Sequence, residues 1–338
     1  MRYTRLRLAI SLAAILSSLS ALPAHAQKII KYAHFHPARM DQSMHASAVT
    51  FKEHVEKATS GSIKVEIYPA GQLGSAQQIM EGLRLGTVEL GVVHEGGVSG
   101  VYRPFNIFGM PYMFQSHAHA YAVLDGPFGK ELGEDLKKKT GIRLMAYADN
   151  GVRHFTNSKR VIRTPDDMKG LKIRVQPSPV FIELVKALGA SPTAIDWGET
   201  PAALAQGTAD GQENSVTTIM SASLYQHQKY ATLDGHIYGF FGYLINDRFY
   251  KSLTNEERLA VDAGVEKAKV VHRDMTRSLD LSAKKVLSEK GMQVTELTPA
   301  EVDQFRNATQ PPVRKYLETS VSKEWTDKIL SAIEAAKK

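Results

Sequence analysis

The chain has 338 residues, no cysteine, 43% hydrophobic residues and 23% charged residues. At roughly 100–200 residues per domain this length predicts two domains, and the composition excludes a fibrous or disordered chain. The missing cysteine excludes disulfides, thiolate metal centres, a Cys nucleophile and a lipid-anchoring Cys, and the net charge of +7 is too weak to indicate nucleic acid.

Residues 1–26 read as a secretory signal peptide. Arg2, Arg5 and Arg7 precede an apolar run from Leu8 to Leu22, and Ala24-His25-Ala26 supplies an A-x-A cleavage pattern. The run contains Ser11, Ser17, Ser18 and Ser20 and is broken by Pro23, so it is a poor spanning helix. Removing it takes three arginines with it and lowers the net charge from +7 to +4. No later segment reaches spanning length, so the mature chain from Gln27 is expected to be soluble outside the cytoplasm.

Lys28 to His34 opens the mature chain as a β-rich run. Met44, Ala48, Phe51, Val55 and Ala58 then form a helical stripe ended by Gly61. Ser62 to Tyr68 alternates as a strand, Ser75 to Leu85 reads as a helix closed by Gly86, and Val88 to Val93 is the next strand. This alternation predicts a parallel sheet flanked by helices. A similar pattern follows residue 140, with strands at Ile142–Ala148, Val152–Thr156, Leu171–Val175 and Thr193–Asp196. Asp210–Glu213 is a further short extended segment. Helices are expected at Thr164–Gly170 (one turn), Pro179–Leu188 and from Thr200 to Gly207. Val261, Val265, Ala268, Met275, Leu279 and Val286 share one face of a long helix that would brace both units. Two more helices should start near Thr298-Pro299 and Gln310-Pro311-Pro312. No low-complexity linker separates the units, so crossing strands should join them. Residues 27–150 with part of 240–280 would form one lobe, and 151–239 with part of 281–338 the other.

Enzyme motifs are missing. There is no G-x-S-x-G elbow, P-loop, G-x-G-x-x-G, H-E-x-x-H or EF-hand loop. The pairs His34/His36 and His117/His119 lack an identifiable third ligand, so neither metal nor cofactor is expected. Ligands of open α/β sheets bind beyond the carboxyl ends of the strands. His36, Gln72 and Glu95 fall there in the first lobe. In the second, Arg174 and Gln176 end one strand, Trp197 and Asn214 follow two others, and Arg153 begins the strand near the crossover. Arginine offers a fork matched to a carboxylate, and tryptophan an apolar wall. Each has an ordinary alternative: a surface charge for the arginines, core packing for Trp197, and a helix cap for Asn214.

Five segments carry a family resemblance. They are Tyr68-Pro-Ala-Gly-Gln-Leu-Gly74 with Met80-Glu-Gly-Leu-Arg-Leu-Gly86, Pro111-Tyr-Met-Phe114, Asn150-Gly-Val-Arg-His-Phe-Thr-Asn157, Asp167-Met-Lys-Gly-Leu-Lys-Ile-Arg174-Val-Gln-Pro-Ser178 and Ala209-Asp-Gly-Gln-Glu-Asn214. Together they resemble the solute-binding proteins of tripartite ATP-independent periplasmic (TRAP) transporters, closest to the C4-dicarboxylate branch. The resemblance implies an α/β, two-lobed periplasmic binding protein. Each lobe would be a mixed sheet flanked by helices, with a long helix bracing both. It implies a monomer that closes by hinge motion around an organic acid and delivers it to the small and large permease subunits. It also implies that Arg174 bridges the ligand carboxylate, Arg153 assists, Asn214 hydrogen-bonds the ligand and Trp197 packs beside it.

The first-lobe residues near His36, Gln72 and Glu95 would read the rest of the ligand. Trp197, Tyr238, Phe240 and Phe241 suggest a compact, partly apolar acid, and His94 with Glu95 would read a hydroxyl or second acidic group. A Glu beside a second carboxylate is costly unless one is protonated. A 2-hydroxy or 2-keto monocarboxylate is therefore expected first and a C4-dicarboxylate next. The alternatives are a secreted enzyme acting on a small acid through His36 and Glu95, and the binding protein of an ATP-driven importer.

Overall fold

A computed structural model describes residues 27–337; the expected leader lies outside them. β1 (Lys28–Ala33) pairs in parallel with β2 (Ile63–Tyr68) on one side and β3 (Leu90–His94) on the other. The connections run through α1 (Ser43–Ala58) and α2 (Ala76–Leu85). α1 buries Met44, Ala48, Phe51 and Val55, the apolar stripe at helical spacing. α2 starts at a capping box between Ser75 and Gln78 and ends at Gly86, whose φ of 84° suits a residue without Cβ.

α3 (Glu95–Ser99), α4 (His117–Leu124) and α5 (Pro127–Thr140) lead to β4 (Ile142–Asn157). The sequence suggested two strands here. The chain instead runs through as one strand of 16 residues, with register shifts at Asp149/Gly151 and Arg153/Phe155. Bulges absorb the break that Asn150-Gly151 signals, because β8 (Tyr230–Asn246) lies antiparallel alongside and holds the backbone on both sides of it.

The second lobe adds β5 (Lys172–Val175), α6 (Pro179–Ala187), β6 (Ser191–Ala194), α7 (Thr200–Ala205), β7 (Gly211–Ser215) and α8 (Val216–Ser221). β5 is parallel to both β6 and β7, while β7 is antiparallel to β4. β8 is 17 residues long and had no strand signal of its own among the expected elements. Its last residues pair with β3 and its first with β9 (Gln293–Glu296). The strand order is β2-β1-β3-β8-β4-β7-β5-β6, with β9 on β8. The architecture is α/β and two-lobed, with β4 and β8 running through both lobes of one mixed sheet.

α9 (Asp247–Ser252) precedes α10 (Asn255–Leu281), the long brace, which packs on α1 and on β4. Gly264 permits the close crossing: a Cβ there would lie 2.8 Å from Val55. Val286, expected on the same helix, belongs to a separate α11 (Ala283–Glu289), because the chain breaks at Ser282. α12 (Pro299–Ser320) runs straight through Pro311-Pro312, which had been expected to start a new helix. Phe305, Thr309, Val313 and Leu317 are buried at four-residue intervals along α12, and this packing outweighs a local proline cost of about 3 kcal/mol each. α13 (Lys323–Ala335) follows a Ser322 cap. Among the described residues, no helix is long and apolar enough to cross a membrane.

Candidate functional site

The carboxyl ends of β1, β3, β5 and β7 converge on about 380 Å³ of empty space, partly open to solvent. Phe35, His36, His94 and Phe241 line it from the first lobe, and Arg174, Gln176, Trp197, Asn214 and Thr218 from the second. Asn150 and Arg153 reach it from β4, the strand shared by both.

Arg153 is already neutralised. Its Nε lies 2.6 Å from Glu213 Oε2 and its Nη2 2.8 Å from Oε1, with a further bond to the Glu213 carbonyl. This pairing follows from register, since Arg153 and Glu213 sit on adjacent strands β4 and β7. Glu213 also faces His236 Nε2 at 3.4 Å, and His236 Nδ1 lies 2.8 Å from Asp234. Burial works to raise the Glu213 carboxyl, but Arg153 and His236 hold it at about 2. Burial works to lower the His236 imidazolium, but Asp234 and Glu213 hold it up at about 9. The four groups therefore alternate in charge and sum to zero at neutral pH.

Arg174 differs. It is 2% exposed, and its Nε and Nη2 donate to one acceptor, the Ile195 carbonyl, at 3.0 and 2.8 Å. Among the described residues it forms no salt bridge, and its guanidinium lies 5.9 Å from the Trp197 ring centre. Burial, with Arg153 adding to it and Glu213 opposing, lowers its pKa to about 10. A buried cation without a counter-charge is costly, and an incoming carboxylate would relieve that cost.

The histidines add no charge. Burial lowers His36 to about 4, and burial with both arginines lowers His94 to about 3. His94 Nδ1 accepts from the Gly97 amide at 3.1 Å to cap α3, which leaves its Nε2–H as a donor. Glu95 is buried behind Gln176, whose Nε2 donates to Glu95 Oε1 at 3.2 Å across the cleft. Burial raises the Glu95 carboxyl. Asn214 donates to Gln212 at 3.1 Å. The cap of α8 is Ser215 instead, which frees Asn214 from the capping alternative.

Of the residues expected from sequence, His36, His94, Arg153, Arg174, Gln176, Trp197 and Asn214 lie together, with Glu95 one contact behind. Two lie elsewhere. Gln72 is exposed; its neighbours Ala70, Gly71 and Gly74 line an outer cleft with His94 and Trp197, but Gln72 does not. Tyr238 bonds through its hydroxyl to Asp149 and packs edge-on against Phe114 and His117. Strand alternation places Tyr238 and Phe241 on opposite faces of β8. Phe35, Asn150 and Thr218 line the pocket without having been singled out. Asn150 had a signal, the Asn-Gly pair at the strand break. His34 lies 3.2 Å from His45, and His117 3.0 Å from Asp280. Among the described residues, no group of three or more potential metal ligands assembles.

Residues 32–319 match the family model described as bacterial extracellular solute-binding protein, family 7 (DctP). A solute-binding protein of Verminephrobacter eiseniae is 37% identical over 285 residues, covering 84% of this chain and 83% of that protein. The sugar acid binding protein of Advenella mimigardefordensis, solved with galactonate, superposes with a TM-score of 0.87 at 30% identity, covering 91% of this chain and 98% of that one. A TRAP periplasmic solute-binding protein of Bordetella bronchispeptica, with density attributed to pantoate, gives 0.83 at 31% identity over 90% and 99%. The kinship is to transport receptors, which displaces the enzyme reading, and to TRAP systems rather than ATP-driven importers. The chain belongs to the family 7 bacterial extracellular solute-binding proteins, the periplasmic solute-binding proteins of TRAP transporters.

Proposed function

We propose that the solute is a compact 2-hydroxy or 2-keto monocarboxylate, with Arg174 as its charged clamp. One observation carries this reading: Arg174 is the buried pocket cation without a carboxylate partner among the described residues. Arg153 is spent on Glu213, and His36 and His94 are neutral, so the pocket offers one net positive charge. One carboxylate matches it. Asn214, Asn150 and the His94 Nε2–H would read an adjacent hydroxyl or keto oxygen. Trp197, Phe35 and Phe241 would cover an apolar body. The pantoate attributed to the Bordetella relative is an acid of this kind.

A C4-dicarboxylate ranks second. Its other charge would need Arg153 drawn away from Glu213, or the cleft-spanning Glu95 contact displaced. Residues 27–150 with part of 240–280, and 151–239 with part of 281–338, are the two closing bodies in this reading. The chain would act as a monomer after removal of residues 1–26, presenting its closed face to the small and large permease subunits.

The test is a thermal-shift screen of organic acids followed by calorimetry. Strong stabilisation by 2-hydroxy and 2-keto monocarboxylates is expected, with weaker responses to succinate and malate. Stabilisation only by neutral sugars or amines would overturn the carboxylate reading, and a preference for dicarboxylates would promote the second.

A further inference from the structure

The kink in β4 that carries Asn150 and Arg153 into the pocket is held from behind. Asp280, in the last turn of α10, accepts the Val152 amide at 2.9 Å through Oδ2. The same oxygen lies 3.0 Å from His117 Nε2 on α4. Gly151 has φ 103°, and a Cβ there would come within 2.8 Å of Asp280 Oδ1 and 2.9 Å of Oδ2. The carboxylate thus occupies the space that any other residue at 151 would need. Asp280 is almost sealed, with a side chain 5% exposed, and His117 is 18% exposed. The last turn of α10 carries no basic residue, so this acid sits against the negative end of its own helix dipole. A carboxylate kept in that place must be held by contacts outside the helix.

We propose that Asp280 is a positioning residue of the ligand site, and that with His117 it forms a proton-dependent latch on the Asn150–Arg153 kink. The ligand consequence rests on the pocket reading given above; the latch itself does not. The groups facing the pair are Asp149 and His154 on β4, Tyr238 on β8, Tyr121 on α4 and Arg277 on α10. Arg277 is drawn toward Asp274 at 3.0 Å, and Asp149 takes hydroxyl bonds from Tyr121 and Tyr238. His117 is raised above its ordinary value by the bond to Asp280, against burial, with the charges of Asp280 and Asp149 helping and Arg277 opposing. The imidazolium form is therefore favoured below that raised value, and as pH rises through it the pair is reduced to a hydrogen bond from a neutral imidazole N–H to the carboxylate. His154 is lowered, chiefly by burial, and so is shifted in the opposite direction to His117.

The experiment is nuclear magnetic resonance on the ligand-free mature protein. It follows the His117 ring, the Val152 amide protection factor and the Asn150 side-chain amide across pH 5.5–9. In the wild type, the Asn150 resonance should shift with the same midpoint as His117, and Val152 protection should fall about tenfold above it. His117→Gln keeps a donor but cannot titrate, so both readouts should become flat with pH. Asp280→Asn should leave Val152 weakly protected at every pH; should that variant not fold, His117→Gln carries the test. Val152 protection and an Asn150 resonance that ignore the His117 titration would overturn the proposal. Failure of the pocket reading would show separately, as acid binding that survives loss of Arg174 while the latch readouts persist.

Discussion

Replacing Arg174 by methionine should cut affinity while leaving ligand-free stability nearly unchanged. The side chain is 2% exposed and has no carboxylate partner among the described residues. Burial pushes its pKa from the ordinary arginine range down to about 10, which corresponds to about 3 kcal/mol of strain on the charged form. Arg174→Met removes that strain and keeps much of the apolar stem against Trp197. Against this, the Ile195 carbonyl loses its two donors, a cost of about 1–3 kcal/mol. The two effects roughly cancel, so the urea midpoint of the ligand-free variant should stay within about 1 kcal/mol of the wild type. Binding is another matter, because the ligand carboxylate would be buried without its cation. Affinity for any carboxylate that binds the wild type should fall by about 3–5 kcal/mol, roughly two to three and a half decades in Kd. Paired urea melts and calorimetry read both quantities. Wild-type affinity would refute the clamp. A loss of ligand-free stability well beyond 2 kcal/mol would show that Arg174 is a structural residue with a partner of its own.

Other outcomes follow from the same geometry. Glu213→Gln leaves Arg153 buried without its counter-charge and should cost about 3–5 kcal/mol of stability in a denaturant melt; an unchanged midpoint would mean that the pair is dispensable. Gly151→Ala meets both a left-handed φ of 103° and the Asp280 carboxylate, so a loss of about 2–4 kcal/mol is expected, and a neutral result would contradict the close approach. His34, His36 and His94 are lowered to about 3, 4 and 3, so the unfolded chain takes up protons there below about pH 6.5 while the folded one does not. Stability should decline as pH falls from 6.5 toward 4, and a flat midpoint over that range would sink this account. On the alkaline side the His236 contribution, complete below about 6.5, should be lost as pH rises through about 9. His236→Gln should remove that limb, and an alkaline decline persisting in the variant would assign it elsewhere.

Much of the fold was legible because local signals and tertiary structure agree. The stripe Met44–Ala48–Phe51–Val55, the Ser75 cap and the Gly86 stop all mark elements where they occur. The failures share one cause, a long-range contact that overrides a local signal. Asn150-Gly151 looks like a strand end, yet β8 on one side and Asp280 behind keep the chain extended. Pro311-Pro312 looks like a helix start, yet buried residues on both sides hold α12 through it. At the site, strand-end logic located the arginines, Gln176, Trp197 and Asn214, because ligand-facing positions of an α/β sheet follow from strand order. It misplaced Tyr238 because β8 was not recognised as a strand, so the face of each residue was undetermined. It could not foresee that Glu213 would take Arg153, since that pairing depends on the register of β4 against β7. The distinction between a committed and an uncommitted arginine lies in register, and a single sequence does not contain it.

The interrupted layout of the sheet also sets an order of assembly. β3 lies beside the end of β8, and α1 packs under α10, so the first lobe draws on residues 28–94 and on residues 241–281. Its N-terminal portion has no complete core until most of the chain has been made. Contacts between segments so far apart in sequence form slowly. A ribosome-bound nascent chain would therefore stay open and threadable until late in synthesis. Were the chain exported unfolded, that delay would keep it passable without any dedicated unfolding step.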